Sequence, residues 1–293
     1  SVETSPEYAD RPRLNVLKKA GVSRVSIGIQ SFQDEELKAI KRRPRQNTIY
    51  QALDDIRQMD FPYFNIDLIY GIKGQTVESF LYSLEEALRF QPNELFIYPL
   101  YVRQGTGITE REPDDVCFRM YRAACKLLQA KGFLQTSMRR FIHHPSTDAE
   151  VSCGDEVMLS CGSGGRSYLG DLHYATRYTV CQQCIAREID EYMATTDFTV
   201  ARNGFILSAK EQQQRFIIKN LMYYMGIDKA EYTRRFGEPL DRTPLFRQLA
   251  EQYWIEETPE RIRLTPEGLG YSDYIGQLFI TPEIRQLMET YSY

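Results

Sequence analysis

The feature that most restricts the fold is an alternation of strand-like and helix-like runs over the first 132 residues. Strands are expected at 1–4, 24–32, 63–71 and 95–102. Between and after them, residues 11–20, 34–43, 47–59, 77–90 and 114–130 carry apolar residues at helical spacing, such as Ile49, Leu53 and Ile56, or Phe80, Leu81, Leu84 and Leu88. Asp34 is the expected cap of its helix. Strand–helix alternation of this kind builds parallel βαβ units. The expected fold class is therefore α/β, with the strands forming an open sheet or part of a barrel. No G-x-G-x-x-G follows any of these strands, which argues against a dinucleotide-binding version.

Two strands show which face carries chemistry. Val25, Ile27 and Ile29 share one face of their strand, and Ser26, Gly28 and Gln30 share the other. In the next strand Ile66, Leu68 and Tyr70 oppose Asn65, Asp67 and Ile69. A strand buried on both sides reads as a near-continuous apolar run. A Gln and an Asp near the C-terminal ends of neighbouring parallel strands break that rule where such folds place ligands. A lone polar residue there is usually a satisfied structural group, whereas two at matching strand ends point to a site.

The chain has 293 residues, enough for one large and one smaller domain. Its 42% hydrophobic and 26% charged residues are ordinary for a packed domain and exclude a disordered chain. A net charge of −4 argues against a nucleic-acid partner. No apolar run reaches the length of a membrane helix, so no membrane partner is expected. The first fifteen residues are polar and charged, unlike a signal peptide, and the chain opens on Ser1 straight into a strand. The opening suggests a piece of a longer protein. Six cysteines, without the spacing of a secreted scaffold, suggest a cytoplasmic location. Cys117 and Cys125 fall on a helical pattern as buried small side chains.

Beyond residue 132 the pattern changes. Residues 133–143 read as extended and 158–170 as a Gly- and Ser-rich stretch. A helix over 208–225 opens on a capping box, Ser208 with Glu211. Short helices are expected at 229–236, 244–253 and 266–279, with a β wing at 255–264. The expected domains are 1–185, a partial barrel, and 186–293, a C-terminal α-helical, winged-helix-like domain.

The run Val25-Ser26-Ile27-Gly28-Ile29-Gln30-Ser31-Phe32 resembles a strand signature of the radical S-adenosylmethionine (SAM) family of oxygen-independent coproporphyrinogen III oxidases and their paralogues. Asn65-Ile66-Asp67-Leu68-Ile69-Tyr70-Gly71, followed by Ile72-Lys73-Gly74-Gln75-Thr76, resembles the next signature, with Lys73 where the family usually has Pro. Glu3 before Thr4-Ser5-Pro6 resembles the family's third-strand Glu. The resemblance covers essentially the whole chain. It implies a partial (β/α) barrel that binds SAM and a [4Fe–4S] cluster. The cluster reduces SAM to a 5′-deoxyadenosyl radical, and two substrate propionates become vinyl groups in haem biosynthesis. The implied partners are a porphyrinogen-like small molecule and an electron donor for the cluster. A haem-binding chaperone of the same superfamily, or a radical SAM paralogue acting on a non-porphyrin substrate, is the alternative. No C-x3-C-x2-C occurs in this sequence, nor the Gly-rich motif of the family's second strand. The chain alone is accordingly expected to lack the cluster, to bind SAM weakly at best, and to be inactive.

By resemblance, Glu3, Gln30, Arg42, Asp67 and Ile69 are the SAM-binding residues. A carboxylate can accept both ribose hydroxyls, with a Gln amide beside it. Arg42 can clamp the methionine carboxylate, although Lys41, Arg43 and Arg45 surround it with equivalent charge. Ile69 supplies apolar packing for adenine. Cys181-Gln182-Gln183-Cys184 can be half of a zinc site, completed by Cys153 and Cys161, or a redox pair. Its spacing and setting favour ordinary cysteines, and no metal ligand is expected in this chain. Arg139, Arg140, His143, His144 and Arg166 form a basic set able to meet substrate carboxylates, or simply a solvated surface. The 160–168 segment is expected to approach SAM or substrate through its backbone. His143 and His144 are also candidate haem ligands, but the chaperone branch's His-Asn-x-x-Tyr-Trp motif is absent.

Overall fold

The structure is a computed structural model that describes residues 1–43, 45–103, 105–143, 157–177, 179, 181–240 and 244–290. His144 and Cys153 lie outside the described residues. The described residues of 1–103 and 108–146 form one compact unit, and those of 104–107 and 147–293 the other.

The first unit is the expected βα alternation: β1 (Val2–Thr4), α1 (Arg11–Lys19), β2 (Arg24–Gln30), α2 (Asp34–Ala39), α3 (Gln46–Met59), β3 (Tyr63–Tyr70), α4 (Val77–Leu88), β4 (Glu94–Pro99) and α5 (Asp114–Ala130), then β5 (Phe133–Gln135) and β6 (Arg140–His143). One six-stranded sheet runs in the order β1-β2-β3-β4-β6-β5. The pairs β1–β2, β2–β3 and β3–β4 are parallel, and β6 joins β4 antiparallel. The sheet is open, with β1 at one edge and β5 at the other.

Register gives the sheet its two faces. Val25, Ile27 and Ile29 align with Phe64, Ile66, Leu68, Leu95, Ile97 and Phe141 on the apolar face, all nearly or fully buried. They form one core with Ile49, Leu53 and Ile56 of α3, Phe80 and Leu84 of α4, and Met120 and Leu128 of α5. Burying each large aliphatic side chain contributes about 1.5–3 kcal/mol. The helices are positioned by their caps. Asp10 accepts from Arg13 N at the start of α1, and Thr76 and Ser79 form a reciprocal capping box at α4. Several expected boundaries shift. The helix expected over 34–43 ends at Ala39, because Lys41 turns into the left-handed region with φ 59°. Asp34 is its first residue rather than its cap, and Gln33 stands at the cap position without a side-chain bond. The extended 133–143 run is a hairpin, its turn held by Ser137 Oγ, which accepts from Arg139 N and Arg140 N.

In the second unit β7 (Val157–Met158), β8 (Arg166–Leu169), β9 (Leu172–Ala175) and β10 (Gly204–Ile206) form a separate antiparallel sheet in the order β10-β9-β8-β7. Residues 158–170 therefore contribute two strands and a Gly-rich turn, not an irregular loop. This sheet shares no pairing with the six-stranded one, so the compact units part near residue 146, whereas the sequence pattern suggested 185. Next come α6 (Gln182–Ala194), α7 (Ala209–Leu221), β11 (Ile227–Asp228), α8 (Lys229–Phe236), α9 (Pro244–Glu251), β12 (Ile255–Glu257), β13 (Arg261–Leu264), α10 (Pro266–Gly270), α11 (Ser272–Leu278) and α12 (Pro282–Thr290). The Ser208–Glu211 capping box is present at α7. The β11-β13-β12 sheet and its helices enclose Leu221, Ile227, Leu249, Ile262 and Ile275, a winged-helix arrangement. The helix expected over 266–279 is two helices that break at Tyr271. At Gly268 a Cβ would collide with the Trp254 carbonyl oxygen. No helix among the described residues is long and apolar enough to cross a membrane.

Candidate functional site

The other face of the six-stranded sheet is polar. Glu3, Ser26 and Asn65 stand side by side across β1, β2 and β3, and Gly28, Asp67 and Phe96 across β2, β3 and β4. Asn65 Nδ2 donates to Ser26 Oγ at 2.9 Å and to Asp67 Oδ1 at 2.7 Å. Its Oδ1 is buried and accepts no hydrogen bond. Such an orphaned acceptor in a buried side chain calls for a donor from elsewhere. Burial pushes the Asp67 carboxyl up to about 6; the Asn65 bond opposes this, and the negative charge of Glu3 adds to it.

Gln30 reaches this face by a backbone irregularity. The β2–β3 register shifts between Gly28 and Gln30, and Gln30 has φ 74°. A non-Gly residue held in the left-handed region is uncommon and is found where function fixes the backbone. The turn carries the Gln30 amide back over Gly28, so that a Cβ on Gly28 would lie 2.5 Å from Gln30 Nε2. Because Gly28 is the register partner of Asp67, the amide and the carboxylate face the same space. Ile69 lies one step further along the same face, opposite Tyr98. Glu3, Gln30, Asp67 and Ile69 thus share one face. Arg42 lies beyond the C-terminal end of α2 with its side chain exposed, in no hydrogen bond or ion pair with the other four.

The loops around this face are tied together by a residue that sequence reasoning missed. Glu36 on α2 is buried and accepts from Ser31 Oγ at 2.6 Å, Gln75 Nε2 at 2.9 Å and Ser79 Oγ at 2.5 Å. These donors come from the loops after β2 and β3 and from the start of α4. At the opposite end of the strands, buried Glu94 meets Arg140 Nη2 and Arg24 Nη2, each at 2.5 Å. The Arg140 contact is a directional hydrogen bond, while the Arg24 contact is an ion pair without hydrogen-bond geometry. The alternation of Glu94, Phe96 and Tyr98 with Leu95 and Ile97 was the available signal for this part of the face.

The basic set does not come together. Arg140 is occupied by Glu94. His143 packs on the Phe133 ring, 5.0 Å between centroids, at the end of the strands away from Asp67. Arg166 belongs to the second unit. Arg140, the register partner of Phe96, lies on the polar face too, but the described member of the set that reaches Tyr98 is Arg139. Its guanidinium lies over the rings of Tyr98 and Tyr101, 5.8 and 5.7 Å from their centroids, and donates to Tyr101 Oη at 2.6 Å. Phe96 and Tyr98 stack. Burial raises the Tyr98 hydroxyl above the usual phenol range, and the Asp67 carboxylate adds to this. In the Gly-rich turn, Gly162 N donates to Tyr192 Oη at 2.8 Å and Gly164 N to Thr176 Oγ1 at 2.7 Å. Those amides serve the second unit itself.

Residues 1–87 match the Radical SAM superfamily and residues 207–270 the HemN C-terminal domain. These two matches, with the relatives that follow, support the radical SAM coproporphyrinogen oxidase family for this chain. Proteins similar to it include both oxidases and chaperones. The heme chaperone HemW of Bacillus subtilis is 26% identical over 95% of this chain and 76% of its own length. The oxygen-independent coproporphyrinogen III oxidase of Thermostichus vulcanus is 25% identical over 92% of this chain and 89% of its own. In three dimensions the solved Escherichia coli coproporphyrinogen III oxidase, HemN, a radical SAM enzyme, superposes with a TM-score of 0.74 at 21% identity, covering 95% of this chain and 69% of that one. The shared fold includes the open α/β sheet and the C-terminal helical domain.

The family implies SAM and a [4Fe–4S] cluster. The polar face fits the nucleoside of SAM, since it offers a carboxylate, the Gln30 amide over Gly28 and an orphaned Asn65 oxygen. The cluster does not fit. The sequence has no C-x3-C-x2-C, and no three His, Cys, Asp or Glu gather to hold a metal among the described residues.

Proposed function

We propose that the polar face of this chain holds the nucleoside of SAM in a radical SAM protein that acts on a porphyrinogen-like tetrapyrrole. The observation that carries the reading is the layer formed by Gln30 over Gly28 beside Asp67. Asp67, ionised above about pH 6, accepts from the two ribose hydroxyls. Glu3 extends the acceptor surface, and the Gln30 amide offers both a donor and an acceptor. Ile69 packs against adenine, and Asn65 Oδ1 accepts from a ligand donor. Arg42, exposed, pairs with the methionine carboxylate after its side chain swings in. Bound SAM supplies the radical chemistry of the family, and no step of it is assigned to residues of this chain.

The same face favours a tetrapyrrole with carboxylate arms. Tyr98 and Tyr101 offer aromatic surface, and Arg139 offers a guanidinium between them. Packing of aromatic rings on individual pyrroles, with a charge-assisted carboxylate contact, suits such a substrate. The activity proposed is the oxidative decarboxylation of propionates to vinyl groups in haem biosynthesis, with an external electron donor. The proposed organisation is a catalytic barrel domain followed by a C-terminal helical domain, in a cytoplasmic protein.

The chaperone relatives support a second reading, in which the chain binds haem. The described histidines favour the first reading: His143 packs on Phe133, and His173 Nε2 is buried beneath Tyr168, so neither of these two presents an open ligand to iron. Titrating the chain with coproporphyrin III and with haemin separates the two. The oxidase-like reading expects coproporphyrin fluorescence to change and Arg139→Ala to weaken that change, with no histidine-dependent Soret shift for haemin. A Soret shift lost on His143→Ala or His173→Ala would establish the chaperone reading instead.

A further inference from the structure

The nucleoside site leaves one chemical motif unused. Cys181 is the N-cap of α6 and Cys184 lies in its first turn. Their sulfurs are bonded, with Cα atoms 5.2 Å apart, well within the separation an unstrained disulfide spans. The backbone N–H of Cys184 is directed at Cys181 Sγ, 3.2 Å away. Both residues are partly exposed. Cysteines expected to be unremarkable are therefore a C-x-x-C disulfide at a helix N-terminus.

We infer that Cys181–Cys184 is a reversible two-electron thiol–disulfide exchange site that takes an external dithiol as its partner. Three observations lead there. A bridge between residues three apart closes so short a loop that it removes little entropy from the unfolded chain. A structural staple is thus poorly served by it. The helix N-terminus directs an N–H at Cys181 Sγ, so reduction leaves a stabilised thiolate there. A thiol of lowered pKa is also the better leaving group in exchange. Finally, Cys161 is not a close third partner. Its neighbour Gly162 is held by Tyr192, eight residues beyond Cys184 and roughly 12 Å along a helix rising 1.5 Å per residue, and no three His, Cys, Asp or Glu gather among the described residues.

The exchange balances in two steps. One thiolate of the dithiol attacks Cys184 Sγ, the Cys181–Cys184 bond breaks, and its electron pair leaves on Cys181 Sγ. The second thiolate then attacks the dithiol's own sulfur in the mixed disulfide, and Cys184 leaves and is protonated. The dithiol becomes a disulfide, having lost two electrons and two protons. One proton ends on Cys184, and the other goes to Cys181 or to solvent according to pH. An external disulfide reverses the sequence. A pair of this kind would couple the second unit to the thiol status of its surroundings.

The test equilibrates the native chain across a series of reduced-to-oxidised dithiothreitol ratios. Acid quenching, maleimide alkylation and peptide mass mapping then count the thiols. One two-electron transition is expected, confined to Cys181 and Cys184, abolished by Cys181→Ser or Cys184→Ser and unchanged by Cys161→Ser. In the reduced wild-type chain, limiting iodoacetamide near neutral pH should label Cys181 several-fold faster than Cys184. This labelling order needs no variant and stands even if a serine substitution impairs folding. Three results would overturn the inference: the pair alkylating as free thiols at every ratio; the bond resisting dithiothreitol until the chain unfolds; or stoichiometric zinc that is lost with Cys184→Ser.

Discussion

The amide of Gln30 occupies the space above Gly28, where a side chain would otherwise stand; a Cβ there would lie 2.5 Å from Gln30 Nε2. The absence of one methyl group thus sets the position of a ligand-facing amide. Gly28→Ala should displace Gln30 while costing the fold little, because the clash is with the end of a flexible side chain. The expected outcome is a SAM affinity about tenfold lower, equivalent to about 1.4 kcal/mol, with a nearly unchanged thermal midpoint. Isothermal titration and thermal unfolding of the same preparation check both halves.

The charged form of Asp67 opposes stability. Its carboxyl is raised from 3.8 to about 6 in the folded chain, chiefly by burial. The folded state therefore holds the proton more tightly than the unfolded one. Stability from this group is fully present below about pH 4, falls as pH rises through 6, and is lost above that. Asp67→Asn keeps an acceptor for Asn65 and removes the charge. It should stabilise the chain by on the order of 1–3 kcal/mol at pH 7 and by little at pH 4, while weakening SAM binding at pH 7. Urea unfolding at the two pH values gives the sign directly.

Glu36 joins three segments through three hydrogen bonds. Glu36→Ala leaves Ser31, Gln75 and Ser79 with reduced partners in a buried setting, at a cost of about 1–3 kcal/mol for each group left unsatisfied. Lower urea stability and faster amide exchange at residues 31–36 and 72–79 are expected. Unchanged exchange in those loops would show that other contacts hold them.

Glu94 separates two guanidinium groups in the sheet interior. Glu94→Gln keeps the shape and strands both positive charges, a change worth about 3–5 kcal/mol when a buried pair is broken from one side. Replacing Arg140 at the same time, as in Glu94→Gln with Arg140→Met, should recover part of the loss. A double-mutant cycle in urea measures the coupling.

The sheet was legible in the sequence because one of its faces packs apolar side chains against the helices while the other carries polar ones. Val25, Ile27 and Ile29 against Ser26, Gly28 and Gln30 carry a period of two that survives into the structure. The same period put Asp67 and Ile69 together on the polar face. It could not show that a register shift returns the Gln30 side chain over Gly28, because that depends on a positive φ that no residue type announces. Nor could it show Glu36, whose partners are 5, 39 and 43 residues away in sequence. Arg139 and Arg140 are adjacent in sequence yet part company, because Arg140 begins β6 opposite Phe96 and reaches Glu94 while Arg139 stays in the Ser137 turn beside Tyr98. The bond between Cys181 and Cys184 was not legible in the sequence, because it depends on a helix starting at Gln182; once Cys181 is an N-cap, a C-x-x-C spacing brings both sulfurs together.

The central claim is that the layer of Glu3, Gln30 and Asp67 holds the nucleoside of SAM. Backbone amide NMR of the chain titrated with millimolar SAM tests it even where binding is weak. The account predicts shifts concentrated at residues 3, 26–30 and 65–69, abolished by Asp67→Ala and reproduced in part by adenosine. Shifts confined to the second unit, or shifts at 26–30 and 65–69 that persist unchanged in Asp67→Ala, would contradict it.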